Sequence, residues 1–95
     1  MQFGEAQHSS FMWFVYIIQC IDGSLYTGAT NNLEKRFKAH KSGKGAKYTR
    51  SHKPKRIVFF KKYGKKILAL RKERKIKNLK HKEKLKFIKE HNKPG

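Results

Sequence analysis

The chain has 95 residues, a formal net charge of +19 and a single cysteine, Cys20. That length holds one domain with a small core, since folding at this size buries only about 60 to 65% of the unfolded chain's surface, and one cysteine excludes a disulfide framework. Residues 1–34 contain no Lys or Arg and all 25 fall between Lys35 and Lys93, so the first third forms the core, the remainder carries a field that concentrates polyanions, and nucleic acid is the expected partner.

Met1–Ser10 reads as a loose lead-in with few large apolar residues, ahead of one domain over 11–92 and a frayed end at 93–95. The apolar run Phe11–Ile18 is too short to span a bilayer, and no basic residue precedes it as a signal peptide requires, so an intracellular protein is expected. An anionic membrane is not the expected partner, because the basic segments lack the aromatic and leucine-rich face of an interfacial helix. Trp13–Cys20 is almost continuously apolar and β-branched or aromatic, the pattern of a strand covered on both faces. Asp22-Gly23 signals a hairpin, with Leu25–Ala29 returning. A two-residue loop would put Tyr16 and Tyr26 on opposite faces. A three-residue loop, Ile21-Asp22-Gly23 with a left-handed glycine, pairs even numbers with even and puts both on one face, and this register is the one expected.

Thr30, Asn31 and Asn32 all suit a helix N-cap, and Glu34 complements the positive end of the helix that follows, which should run to about Lys41 and end at Gly43. Leu33, Arg36, Phe37 and His40 share one stripe of it. Arg36 and His40 are therefore candidates for a site, or else a snorkelling arginine and a histidine that caps the helix's negative end. Ser42–Lys55 reads as a Gly-, Lys- and hydroxyl-rich connector; Lys44, Lys47, Tyr48 and Arg50 are its candidate nucleic-acid contacts, with a solvated loop as the bland alternative. It lacks the glycine spacing of a phosphate-binding Walker loop. Arg56–Lys62 is a third strand. A helix over about Lys65–Leu79 has the stripe Leu68, Ala69, Ile76 and Leu79, and Glu73 borders it. Glu73 is the only carboxylate between Lys35 and Lys82, readable as an ion-pair partner for Lys77 at i+4 or as a ligand for a divalent cation. A last basic helix over Lys80–Asn92 buries only Leu85, Phe87 and Ile88.

No nucleophile elbow is present, Cys20 has no activating neighbour, the five histidines are too dispersed for a zinc site, and the acids are too scattered for paired-carboxylate chemistry. What remains is Tyr16, Tyr26, Arg36, His40 and Glu73 inside a cationic shell. That set suits phosphodiester hydrolysis: a metal polarises the phosphate, Arg36 balances developing charge, and a tyrosine takes the proton of the attacking water. A tyrosine base requires the surrounding cations to favour its phenolate.

At these residues the chain resembles the GIY-YIG nuclease superfamily, in particular its small stand-alone members and the catalytic domain of structure-specific endonucleases. The two name-giving tripeptides stand here as Phe14-Val15-Tyr16 and Tyr26-Thr27-Gly28. Arg36, His40 and Glu73 (in ALRKE) match the family's helix arginine, the position four residues on and its metal-binding glutamate. The resemblance covers Trp13 to about Leu79. It implies an α+β fold, a three-stranded antiparallel sheet flanked by three helices in the order β-β-α-β-α-α. It also implies one-metal endonuclease chemistry with Mg²⁺ or Mn²⁺ at Glu73, Tyr16 as general base with Tyr26 assisting, and DNA favoured over RNA, such as branched or damaged DNA in repair or recombination. The chain departs from the pattern at Ala29 and Thr30, where several members carry a lysine, and an asparagine found beyond the glutamate has no match at its spacing. The competing expectation is a basic nucleic-acid-binding module that keeps the fold without catalysis.

Overall fold

The computed structural model describes residues 12–92, so the expected lead-in over Met1–Ser10 and the expected frayed end at 93–95 lie outside the described residues. The elements in order are β1 (Trp13–Cys20), β2 (Leu25–Thr30), α1 (Leu33–Lys41), α2 (Lys47–Ser51), β3 (Pro54–Tyr63), α3 (Lys66–Lys77) and α4 (His81–His91). The three strands form one antiparallel sheet in the order β2-β1-β3.

β1 is the central strand because it alone can bury both faces. On one side Val15 and Ile17 join Leu25 and Phe59 beneath Ala69 and Ile76 of α3, with Phe87 and Ile88 of α4 partly buried alongside. On the other side Phe14 and Tyr16 pack with Leu33 of α1, and with Tyr26 and Ile57 at the border. The expected register holds: Tyr16 pairs with Gly28 and Ile18 with Tyr26, even with even. The turn has the expected form, with the Gly23 N–H donating to the Cys20 carbonyl at 2.9 Å and Gly23 at φ 86°, a left-handed conformation that favours glycine. The Asp22 carboxylate stiffens the turn by accepting from the Ser24 N–H at 3.0 Å and the Ser24 hydroxyl at 2.6 Å.

Of the three possible caps for α1, Asn32 is used: its side chain accepts from the Lys35 N–H at 3.0 Å. Gly43, at φ 81°, follows the helix end as expected. The connector over Ser42–Lys55 is the main departure. Lys47–Ser51 forms the short helix α2, giving the described residues four helices and the order β-β-α-α-β-α-α. One turn of helix carries too few residues for a periodic apolar pattern, which is why composition pointed to a loop. β3 is also longer than Arg56–Lys62. It begins at Pro54, opposite Cys20, a first-strand position where proline's missing N–H is tolerated. On α3 the buried row is Ala69 and Ile76, while Leu68 is 43% exposed and lies outside it. Ala69, fully buried, lets the helix approach the sheet closely and turns Leu68, a hundred degrees of helix away, to solvent. Leu85 of α4 is likewise exposed instead of buried.

Candidate active site

The site grows from the β1–β2 register. Because Tyr16 faces Gly28 directly, its ring lies against a residue with no side chain, and a Cβ at Gly28 would stand 2.6 Å from the Tyr16 Cζ, inside van der Waals contact. The phenol is thereby directed along the sheet towards α1. Its oxygen lies 2.8 Å from Nε2 of His40, which the last turn of α1 brings in fully buried. On the far side of the imidazole, Nδ1 lies 2.8 Å from Oγ1 of Thr49 on α2, itself buried.

Proton accounting orients this chain. Thr49 has one hydroxyl hydrogen, which it donates to the Ala46 carbonyl at 3.0 Å, and it accepts from the Ala46 N–H at 3.2 Å. Its remaining capacity towards His40 is as an acceptor, so Nδ1 carries the ring hydrogen. Nε2 is then the free lone pair, and the Tyr16 hydroxyl donates to it. Gly45 completes the enclosure, since a Cβ there would stand 2.8 Å from the His40 Cα.

Electrostatics around the pair are set first by burial. Burial pushes the Tyr16 phenol up to about 12 although Arg36 beside it works in the opposite direction, and the charges of Tyr26 and Glu73 add to the rise. The expectation that surrounding cations would favour the phenolate is therefore not met: desolvation of this 1% exposed ring outweighs one guanidinium. Burial, with Arg36 second, pulls His40 down to about 4, so the imidazole is neutral at physiological pH.

Tyr26, partly buried, stands with its ring 5.0 Å from that of His40 and 6.4 Å from that of Tyr16. An aromatic row continues outward from it. Tyr48 stacks on Tyr26 at 5.8 Å and on His52 at 4.2 Å, and His52 Nδ1 lies 2.7 Å from the Asp22 carboxylate in the hairpin turn. The Ser24 hydrogen bonds and then His52 hold the Asp22 carboxyl well below the usual carboxylate range. This row ties α2 to the hairpin.

Glu73 arrives from the other layer. α3 packs on β1 and also along the edge strand β2, and the Glu73 charge registers at the Tyr16 phenol. The carboxylate is 18% exposed and its Oε2 lies 3.2 Å from the Lys77 ammonium. Among the described residues no group of three or more His, Cys, Asp or Glu gathers as a metal cage, and both His40 nitrogens are engaged. A single ionised carboxylate fits a hard divalent cation that takes its other ligands from water and phosphate, and it does not fit zinc.

The structure thus brings Tyr16, Tyr26 and His40 into direct contact, with the Arg36 charge acting on both Tyr16 and His40 and that of Glu73 felt at Tyr16. Lys44, Lys47, Tyr48 and Arg50 are exposed on the segment that follows α1, and Tyr48 alone of them has its ring in the aromatic row. A shallow groove of ≈ 240 Å³ lined by Thr30, Asn31, Asn32, Lys35, Arg36 and Ala39 opens at Arg36. A larger hollow of ≈ 700 Å³ between β3 and α4 contains none of the candidate residues. Sequence reasoning missed Thr49, Gly45 and the His52–Asp22 bridge. A hydroxyl three residues after Ala46 is a weak signal of a one-turn helix cap; for the other two the sequence carries no local signal.

Comparison with known proteins agrees with this architecture. A family model described as the GIY-YIG catalytic domain matches residues 12–86. A UPF0213 protein of Oceanobacillus iheyensis is 52% identical over 75 residues, covering 79% of this chain and 87% of that protein. One of Clostridium perfringens is 52% identical over 77 residues, covering 81% and 83%. The solution NMR structure of a UPF0213 protein from Bacillus halodurans superposes with a TM-score of 0.58 at 41% identity, covering 87% of this chain and 88% of that one.

Proposed function

The chain belongs to the GIY-YIG catalytic domain family, and we propose that it is a metal-dependent endonuclease that hydrolyses phosphodiester bonds in nucleic acid, DNA in preference to RNA. The observation that carries this reading is the hydrogen bond from the Tyr16 hydroxyl to a neutral, buried His40 at 2.8 Å, with the Arg36 charge acting on both groups. The bond satisfies a buried phenol and also supplies the proton path that a tyrosine acting on water requires.

A phenol whose pKa stands at about 12 does not rest as phenolate at neutral pH, since reaching it costs about 7 kcal/mol. The reaction therefore runs as a relay. Tyr16 accepts a proton from the attacking water as its own proton passes to His40 Nε2, and the water oxygen forms its bond to phosphorus while the bond to the leaving sugar oxygen breaks and that oxygen takes a proton from solvent. Thr49 steadies the resulting imidazolium by accepting from Nδ1–H. Arg36 neutralises charge on the phosphoryl oxygens. It also acts on the relay itself: in the free protein its charge helps depress His40, and pairing Arg36 with a phosphate lifts that influence, so His40 becomes a better proton acceptor once substrate is bound. Tyr26 borders the same space and can donate to a phosphoryl oxygen. Glu73 would hold one Mg²⁺ or Mn²⁺, which polarises the scissile phosphate and stabilises the leaving oxygen.

The basic surface of a chain with +19 net charge supplies affinity for the backbone through Lys44, Lys47 and Arg50. Branched or damaged DNA in repair or recombination is the proposed substrate class. The test incubates plasmid and branched DNA with the protein in Mg²⁺ and in Mn²⁺, against Glu73→Ala. Cleavage that needs the divalent ion and disappears in Glu73→Ala is expected. Binding with no Glu73-dependent cleavage would instead establish a nucleic-acid-binding module, the reading that the Glu73–Lys77 ion pair favours.

A further inference from the structure

Glu73 is the one candidate metal ligand in the site, yet it is already paired with a cation. Lys77 lies one helical turn on, with its ammonium 3.2 Å from the carboxylate, and the two partners differ in exposure: the Glu73 side chain is 18% exposed and that of Lys77 51%. The carboxylate is thus held by its surroundings, while the lysine reaches it from a half-solvated position. Such a pair contributes little to stability and its flexible member can leave easily. Displacing the ammonium from the carboxylate would free a cation for a backbone phosphate.

We propose that Lys77 is a displaceable counter-cation for Glu73, occupying the carboxylate when no divalent ion is bound and, once released, contacting nucleic-acid phosphate. The proposal rests on the assignment of Glu73 as the metal ligand. It has a thermodynamic consequence: metal at Glu73 and phosphate at Lys77 each remove the other's competitor, so their binding is positively linked, and by reciprocity each raises the other's affinity by the same factor. Binding of either ligand without the other is kept weak, because in the free protein the two side chains satisfy each other.

The test titrates Mn²⁺ alone into ¹⁵N-labelled protein and follows paramagnetic broadening of the amide signals of α3, with no substrate and no turnover. Lys77→Met removes the competing charge; Lys77→Arg keeps it; Lys75→Met removes the same charge from an exposed neighbour on the same helix for which no contact with Glu73 is seen. Lys77→Met is expected to bind Mn²⁺ about threefold tighter or more than wild type, Lys77→Arg about as wild type, and Lys75→Met less than about twofold tighter. A short single-stranded oligonucleotide added to wild type should tighten Mn²⁺ binding, and that gain should shrink in Lys77→Met. Equal effects of Lys77→Met and Lys75→Met would overturn the proposal, reducing it to general charge screening. Glu73→Gln separates the two levels of the argument: unchanged broadening of α3 in that variant removes Glu73 as the ligand, whatever Lys77 does.

Discussion

The Tyr16 hydroxyl and the His40 Nε2 meet at 2.8 Å from positions 24 residues apart, and each is sealed on its other side by a glycine or a threonine. Burial moves the two groups in opposite directions, the phenol up to about 12 and the imidazole down to about 4. Both are therefore neutral across the physiological range, and the shared hydrogen bond can pass a proton without either group resting as an ion.

The shifts fix a pH signature of stability. His40 has a folded value below its ordinary one, so the unfolded chain binds the extra proton first. The contribution is fully present above about pH 6.5 and is lost as pH falls towards 4, by up to about 3 kcal/mol. Tyr16 has a raised folded value, so its contribution is present below about pH 10 and lost as pH rises towards 12. Denaturant unfolding followed between pH 4 and 7 should show the acid loss in wild type and a flatter dependence in His40→Gln.

Thr49→Val is close to isosteric and leaves the Nδ1–H of His40 without its acceptor. A buried donor without a partner costs roughly 1 to 3 kcal/mol, and the tautomer that leaves Nε2 free is no longer enforced. Thermal unfolding should report a loss of that size, and cleavage should fall by about tenfold or more while DNA affinity is retained. Thr49→Ser, which keeps the hydroxyl, should restore both.

Gly28→Ala and Gly45→Ala each place a methyl against a fixed partner, the Tyr16 ring in one case and the His40 ring and backbone in the other. Neither neighbour can withdraw without breaking the Tyr16–His40 bond. Each substitution is expected to destabilise the fold by about 1 to 3 kcal/mol, as measured by denaturant midpoint. Gly64→Ala, where nothing lies within 4 Å of an added Cβ, should be nearly neutral.

Replacing Lys44, Lys47 and Arg50 together by Gln should weaken DNA binding across sequences and flatten its dependence on salt by two to three phosphate contacts' worth, about two to three units of slope. Binding isotherms at several salt concentrations measure this. An unchanged slope would place the backbone path elsewhere on the basic surface.

The hairpin and α1 could be read from the chain because their signals are local. Asp22-Gly23 marks the turn, a three-residue loop there sets the register, and the register alone decides that Tyr16 and Tyr26 share a face. The stripe Leu33, Arg36, Phe37, His40 likewise predicts what α1 turns inward. What stayed hidden depends on contacts between distant segments. α2 is one turn long, and its importance lies in Thr49 reaching an imidazole nine residues earlier. The direction of the Tyr16 shift was hidden for a related reason, since the cations are plain in the sequence while the depth of the phenol follows from Gly28, Leu33 and α1 closing over it. Leu68 faces solvent because Ala69 and Ile76, not the neighbouring leucine, seat α3 on the sheet.

The most direct test of the central claim is single-turnover cleavage of a branched DNA by wild type and Tyr16→Phe, with DNA affinity and unfolding measured on the same samples. The phenylalanine keeps the ring and its packing and removes only the hydroxyl that passes the proton. A rate lowered by about a hundredfold or more, with affinity and fold intact, is the predicted result. A Tyr16→Phe protein that cleaves at the wild-type rate would contradict it.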